Sequence, residues 1–258
     1  MIKGKRRELL QILNIVAYIT MIIFNALSGT GVFNGRTIGG NSDTYPNLFT
    51  PAGITFSIWS VIYLFLLIYV FYQARDVFKT QKEDMPYFEQ ISIFFILSCL
   101  FNILWLIVWL YEFILLSLII MLLLLFSLIV IYLRLNIALG DLNKQGKIIV
   151  WTSFSLYLGW ITVATIANST VFLISINWDQ FGIPPFTWTV IVIFVALFLT
   201  LTVLYSRKDF IYPLVIIWAL IGIIIKRIGD NYDLAVVALV MIIVISANVV
   251  YLLIKEYR

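Results

Sequence analysis

The chain has 258 residues, 63% of them apolar and 12% charged, with a formal net charge of +4; soluble domains carry roughly 45 to 50% apolar and about 25% charged residues. That excess excludes a water-soluble fold and matches a chain of segments of about 20 apolar residues, each long enough to cross a bilayer. There is no histidine and one cysteine, Cys99, so a Ser-His-Asp triad, a His-ligated metal or haem iron and an intrachain disulfide are excluded on residue type.

Apolar runs at 9–29, 54–73, 90–111, 113–136, 148–176, 187–206, 210–226 and 234–254 predict an all-α polytopic membrane protein with about eight transmembrane helices. The first run follows Lys3, Lys5, Arg6 and Arg7 as a signal peptide would. It is too long for one, however, and Asn14 and Asn25 suit a helix packed among others. Between the first two runs, residues 30–52 hold Gly31, Gly35, Gly39, Gly40, Asn34, Asn41, Pro46 and Pro51, which is loop chemistry. Such a long connection in a compact bundle is more often functional than incidental, and a lid or a mobile solvated linker would each fit it. The other connections are shorter, so sequential helices are expected to pack as antiparallel neighbours. The seventh run is short and carries Pro213 near its start, a tolerated position.

The basic residues sit in clusters between the runs instead of forming a nucleic-acid-binding stripe. With the amino end inside, the inner segments hold fourteen of them: Lys3, Lys5, Arg6, Arg7, Arg75, Lys79, Lys82, Arg134, Lys144, Lys147, Arg207, Lys208, Lys255 and Arg258. The outer ones hold Arg36, Lys226 and Arg227. The positive-inside rule then predicts cytoplasmic termini and an outer 30–52 loop. Ionisable residues near the runs, namely Glu89, Glu112, Arg134, Lys226 and Arg227, all lie at ends where they can reach headgroups. That disfavours a charge-driven pump.

Aromatic and amide residues recur at helical spacing. Thr55, Trp59 and Tyr63 share one face of the second run; Asn102, Trp105 and Trp109 share one of the third; Tyr157, Trp160, Ala164 and Asn168 share one of the fifth. Interfacial belts account for Trp151, Trp178, Trp188 and Tyr111. They account less well for Trp105 and Trp160, which fall midway along their runs, where an indole N–H needs a partner that lipid does not supply. The neighbouring Asn or a ligand could supply it. Helix packing alone, or a pocket for a flat, largely apolar ligand, would each explain these faces.

Leu156-Tyr157-Leu158-Gly159-Trp160-Ile161-Thr162-Val163-Ala164-Thr165-Ile166-Ala167-Asn168 resembles the P-Y-x-x-W-x-x-F-A-x-x-L-N signature of the tryptophan-rich sensory protein or translocator protein family (TspO/MBR). Asn102-Ile103-Leu104-Trp105 is similar to that family's N-x-x-W, and Pro46, Thr50, Pro51, Trp59 and Tyr63 are similar to its loop-to-second-span pattern. Leu156, Thr50 and Tyr45 stand where the family has Pro, Pro and a basic residue, Phe56 is displaced by one, and no sterol-recognition motif follows the fifth run. The resemblance covers residues 9–176. It implies a TspO-like five-helix transmembrane core (1–176), with three additional transmembrane helices (177–258) outside it.

It further implies a membrane receptor, sensor or carrier, not an enzyme. The implied ligand is a porphyrin, haem or similar flat hydrophobic molecule, with no cofactor required. Carried over residue by residue, the ligand-binding set is Pro51, Trp59, Tyr63, Asn102, Trp105, Tyr157, Trp160, Ala164 and Asn168. The aromatics would stack, the two Asn hydrogen-bond, Ala164 permit close approach and Pro51 shape the loop. Expected partners are the bilayer of a bacterial cell, a small tetrapyrrole-like ligand and, as an open alternative, a second copy in a homodimer. A secondary transporter or accessory membrane subunit using the last three helices remains the main alternative, and a porphyrin-degrading enzyme a lesser one.

Overall fold

The structure, a computed structural model, describes residues 4–256, so Lys3 and Arg258 of the charge count lie outside the described residues. Those residues form helices and turns with no strand. The long helices are α1 (Gly4–Ser28), α2 (Ile58–Ala74), α3 (Phe94–Leu110), α4 (Ile114–Arg134), α5 (Thr152–Ser175), α6 (Pro185–Arg207), α7 (Ile211–Arg227) and α8 (Tyr232–Glu256). Six, counted with the turns leading into them, are long and apolar enough to cross a membrane. The other two, α3 and α7, have 17 residues each, or about 26 Å at a helical rise.

Apolar side chains cover the outside. On α1, Leu9, Ile12, Val16, Ile19 and Ile23 are all exposed at helical spacing. In water this stripe would be an aggregation site; in lipid it needs no cover. The chain is an integral membrane protein.

The helices pack as a closed ring in the order α1, α2, α5, α4, α3, with α7 laid against α5 from outside and α6 and α8 packed on α7 and on each other. Two pairs of sequential helices, α2/α3 and α5/α6, therefore do not pack as antiparallel neighbours, contrary to the expectation from connection length. The 75–93 segment carries the chain past α1 before α3 begins. It includes a separate helix, Pro86–Ile91, which ends where Ser92 adopts φ 47°. That left-handed residue is why α3 starts at Phe94 and not near residue 90. Close contact at the α5/α7 crossing depends on Gly159, where a Cβ would lie 3.0 Å from Val215.

Two buried carboxyls staple the face that holds both described ends. Asp76 accepts from Arg7 at 2.6 Å and from Gln11 at 2.7 Å, joining α1 to the end of α2. Asp209 accepts from Tyr132 of α4 at 2.9 Å, from Ser155 of α5, and from the backbone N–H of Ile211 at 2.9 Å at the start of α7. The second staple ties the outer helices to the ring. On the same face Tyr205 of α6 donates to Asn248 of α8, a hydrogen bond that lies within the outer layer and joins its two flanking helices.

Candidate ligand site under the loop

Trp59 is the hub of an aromatic cluster inside the loop-face end of the ring. A short 3-10 turn, Gly53–Ser57, leads into α2 and sets Trp59 on its first turn. Its ring lies 6.2 Å from Trp105 of α3 and 6.2 Å from Trp160 of α5, the latter edge to face. Tyr63 stacks on Trp59 at 5.4 Å, Tyr157 meets it edge-on at 6.0 Å, and Phe56 meets Trp160 at 5.9 Å. Edge-to-face and offset arrangements of this kind add about 0.5–1.5 kcal/mol per pair beyond the area buried.

Of the nine residues expected to bind ligand, Pro51, Trp59, Trp105, Trp160, Ala164 and Asn168 line one cavity, together with Phe56 and Trp109. Tyr63, Asn102 and Tyr157 do not reach its wall and form a hydrogen-bonded layer beneath. Tyr63 donates to Asn25 at 2.8 Å, Asn25 to Asn102 at 2.8 Å, and Asn102 to the Tyr157 hydroxyl at 3.3 Å. Asn168 pairs with Ser117 of α4. Neither Asn serves the indoles: the Nε1 atoms of Trp105 and Trp160 are buried without a partner. Two buried donors of the site, both indole N–H groups, are thus unspent. An isolated N–H in an apolar wall costs about 1–3 kcal/mol.

The cavity holds about 30 Å³, room for roughly one water. It is small because the 30–52 loop closes over it. A helix, Ile38–Asp43, is capped by the Thr37 side chain and places Ile38 and Ser42 on the cavity. Anchors hold the loop from two sides. Toward α3 and α4, Asn41 donates to Trp109 O at 2.6 Å, Trp109 Nε1 to Ile38 O at 3.2 Å, Asn34 to Leu110 O at 3.0 Å, and Arg36 pairs with Glu112 at 2.7 Å. Toward α7, the Arg227 guanidinium donates to Leu48 O and Asn47 O, Lys226 pairs with Asp43 at 2.9 Å, and Ala52 N–H donates to Gly222 O at 3.0 Å. The loop is a pinned roof and not a solvated linker.

Sequence reasoning missed the α7 contribution. Arg227 is buried instead of reaching toward headgroups, because its guanidinium is occupied with loop carbonyls and with Asp230 at 2.6 Å. Trp218 donates to Thr55 O at 2.9 Å. Gly222 lies so close to Thr55 and Pro51 that no side chain fits between them. A glycine and two carbonyls leave no spacing pattern; Pro51 and Thr55, on the other side of that contact, were within view. Among the described residues no cluster of three Cys, Asp or Glu could hold a metal ion.

No curated protein and no solved structure matches the chain. The model of one family, described as TSPO-like protein, matches residues 11–251, which takes in the ring, the roofed aromatic site and all three outer helices, and the chain belongs to that family.

Proposed function

We propose that this protein is a membrane receptor, sensor or carrier that binds a flat hydrophobic ligand of porphyrin or haem type in the aromatic site under the 38–51 roof. The observation that carries this reading is the pair of buried, unpartnered indole N–H groups, Trp105 and Trp160, in a wall otherwise made of aromatic rings. A flat ligand with acceptor atoms would stack on the rings and satisfy both donors. Membership of the TSPO-like family supports a binding role of this kind. The role is binding and not catalysis, since the chain has no histidine to move protons near neutral pH.

Ligand pockets usually span about 300–1,000 Å³, so the present cavity of about 30 Å³ is a closed state. Binding requires the roof to lift, and the exposed Arg36–Glu112 and Lys226–Asp43 pairs are its weakest anchors. The reading also takes all eight long helices as crossings, with the roof outside and the termini in the cytoplasm, from the fourteen-to-three distribution of basic residues. Cys99 is buried, so single cysteines placed at Thr30 and Phe78 report on sidedness. An impermeant maleimide should label Thr30→Cys on intact cells and Phe78→Cys only after permeabilisation; the reverse pattern would overturn the orientation.

Titrating the purified chain with protoporphyrin should quench tryptophan fluorescence saturably. Trp105→Phe and Trp160→Phe keep a ring and remove the N–H, so each should weaken binding by roughly three- to tenfold, the worth of one hydrogen bond. Linear, unsaturable quenching, or two Phe variants with unchanged affinity, would sink the assignment.

A further inference from the structure

The failure of α5 and α6 to pack on each other leaves a second cavity at the loop face, of about 730 Å³. It is separate from the aromatic site, sharing only Ser42 of the roof with it. One wall is apolar: Trp178 and Trp188, with centroids 5.1 Å apart, together with Leu173 and Val192. The facing wall carries Lys226 and Arg227 at the end of α7. Among the described residues these are two of the three basic ones on the loop face, the third being Arg36, a concentration that topology does not require.

The two cations are not equivalent. Arg227 is committed to the roof and to Asp230. Lys226 donates to Asp43 Oδ1 at 2.9 Å, and the Asp43 side chain is 64% exposed. An ammonium has three donors, and a half-solvated ion pair exchanges readily. Paired tryptophans mark the depth of a headgroup boundary, where one end of a bound molecule is wet and the other dry.

We propose that this cleft is a second binding site, for the acidic head of an amphiphile, in which Lys226 takes the phosphate or carboxylate oxygens and Trp178 and Trp188 flank the apolar body. The site is independent of the reading given to the aromatic cavity. Asp43 competes with the ligand head for Lys226, which gives two substitutions opposite effects.

The test uses the full chain in phosphatidylcholine nanodiscs, titrated separately with phosphatidylglycerol and with a long-chain fatty acid. Retained molecules are counted by native mass spectrometry. One acidic molecule per chain is expected, with retention falling as salt rises. Retention of phosphatidylglycerol alone identifies a phospholipid source, and of the fatty acid alone a free carboxylate. Lys226→Met should weaken binding roughly fivefold, the worth of one modest ion pair, whereas Asp43→Asn should strengthen it. Val192→Trp, which fills the cleft without touching the charges, should expel the probe even if Lys226→Met folds poorly. Absence of saturable retention of either acid, or a Lys226→Met affinity equal to wild type, would overturn the proposal. So would loss of binding in both Lys226→Met and Asp43→Asn, since that is the signature of a roof anchor only. Trp105→Phe should leave this binding unchanged, so failure here and failure at the aromatic site are distinguishable.

Discussion

Gly222→Ala adds one methyl group where α7 meets the junction between the roof and α2. The new Cβ would stand 2.0 Å from Thr55 Oγ1 and 2.8 Å from both Thr55 Cγ2 and Pro51 Cβ. Rotating the Thr55 side chain gives no relief, because both of its branches are already too close. The helix must back away, stretching the Ala52 N–H to Gly222 O bond and the Trp218 to Thr55 O bond. Overpacking costs about 1–3 kcal/mol, two weakened hydrogen bonds cost about 0.5–1.5 kcal/mol each, and alanine returns about 1 kcal/mol of helix propensity. The net is a destabilisation centred near 3 kcal/mol. Reversible unfolding in mixed micelles with SDS, followed by circular dichroism, measures it, and hydrogen exchange at the Ala52 amide should accelerate. Gly39→Ala is the control: it lies in the short roof helix with nothing within 4 Å of its Cβ, so it should be neutral or stabilising by up to about 1 kcal/mol. Unchanged stability and unchanged Ala52 exchange in Gly222→Ala would refute the docking of α7 on the roof.

Removing the Asp209 carboxyl orphans two hydroxyls and two backbone N–H groups, so Asp209→Ala should destabilise by about 2–4 kcal/mol in the same unfolding assay; Asp209→Asn should cost less, because its amide can turn its oxygen to the N–H groups and its NH₂ to Tyr132 and Ser155. Between α2 and α3, hydrogen bonds from Arg75 and then Lys79 pull the Glu83 carboxyl from its ordinary 4.5 down to about 2. A depressed pKa means that this clamp's contribution to stability is complete above about 4.5 and is lost as pH falls toward about 2. Carboxyl carbon shifts should show Glu83 titrating near the lower value, and Arg75→Gln should move it back toward the ordinary range; titration near 4.5 in the unsubstituted chain would contradict the geometry.

The helical architecture was legible because lipid imposes one strong requirement, a long apolar run, and each of the eight runs contains a helix. Their ends were less legible. Ser92 breaks a helix at φ 47° with neither Gly nor Pro beside it, so no local residue type announces the break. The aromatic faces of α2, α3 and α5 were readable as faces, because 3.6-residue periodicity survives in sequence. Which members touch one cavity was not readable: Trp59 and Tyr63 share a face, but the second sits one turn deeper and spends its hydroxyl on Asn25. In sequence Asp76 and Asp209 are acids beside Arg75 and Lys208, with no spacing that singles them out. Burial of each follows from partners supplied by distant helices, which no local pattern announces.

The outer helices make the same point in reverse. Their separation from the ring, as the side-chain motifs suggest it, rests on tryptophans and amides that all fall before residue 177. Yet α7 reaches the ring through groups that such motifs do not weigh: the missing side chain of Gly159, which lets Val215 approach; the missing side chain of Gly222, which lets Pro51 and Thr55 approach; and main-chain oxygens bound by Arg227. Each contact ends on the roof or on a helix that walls the aromatic cavity. A family match running through residue 251 is consistent with that geometry. Lys226, Arg227 and Gly222 of α7 all hold the roof, so a change in the tilt of this one outer helix would alter the roof's anchors directly.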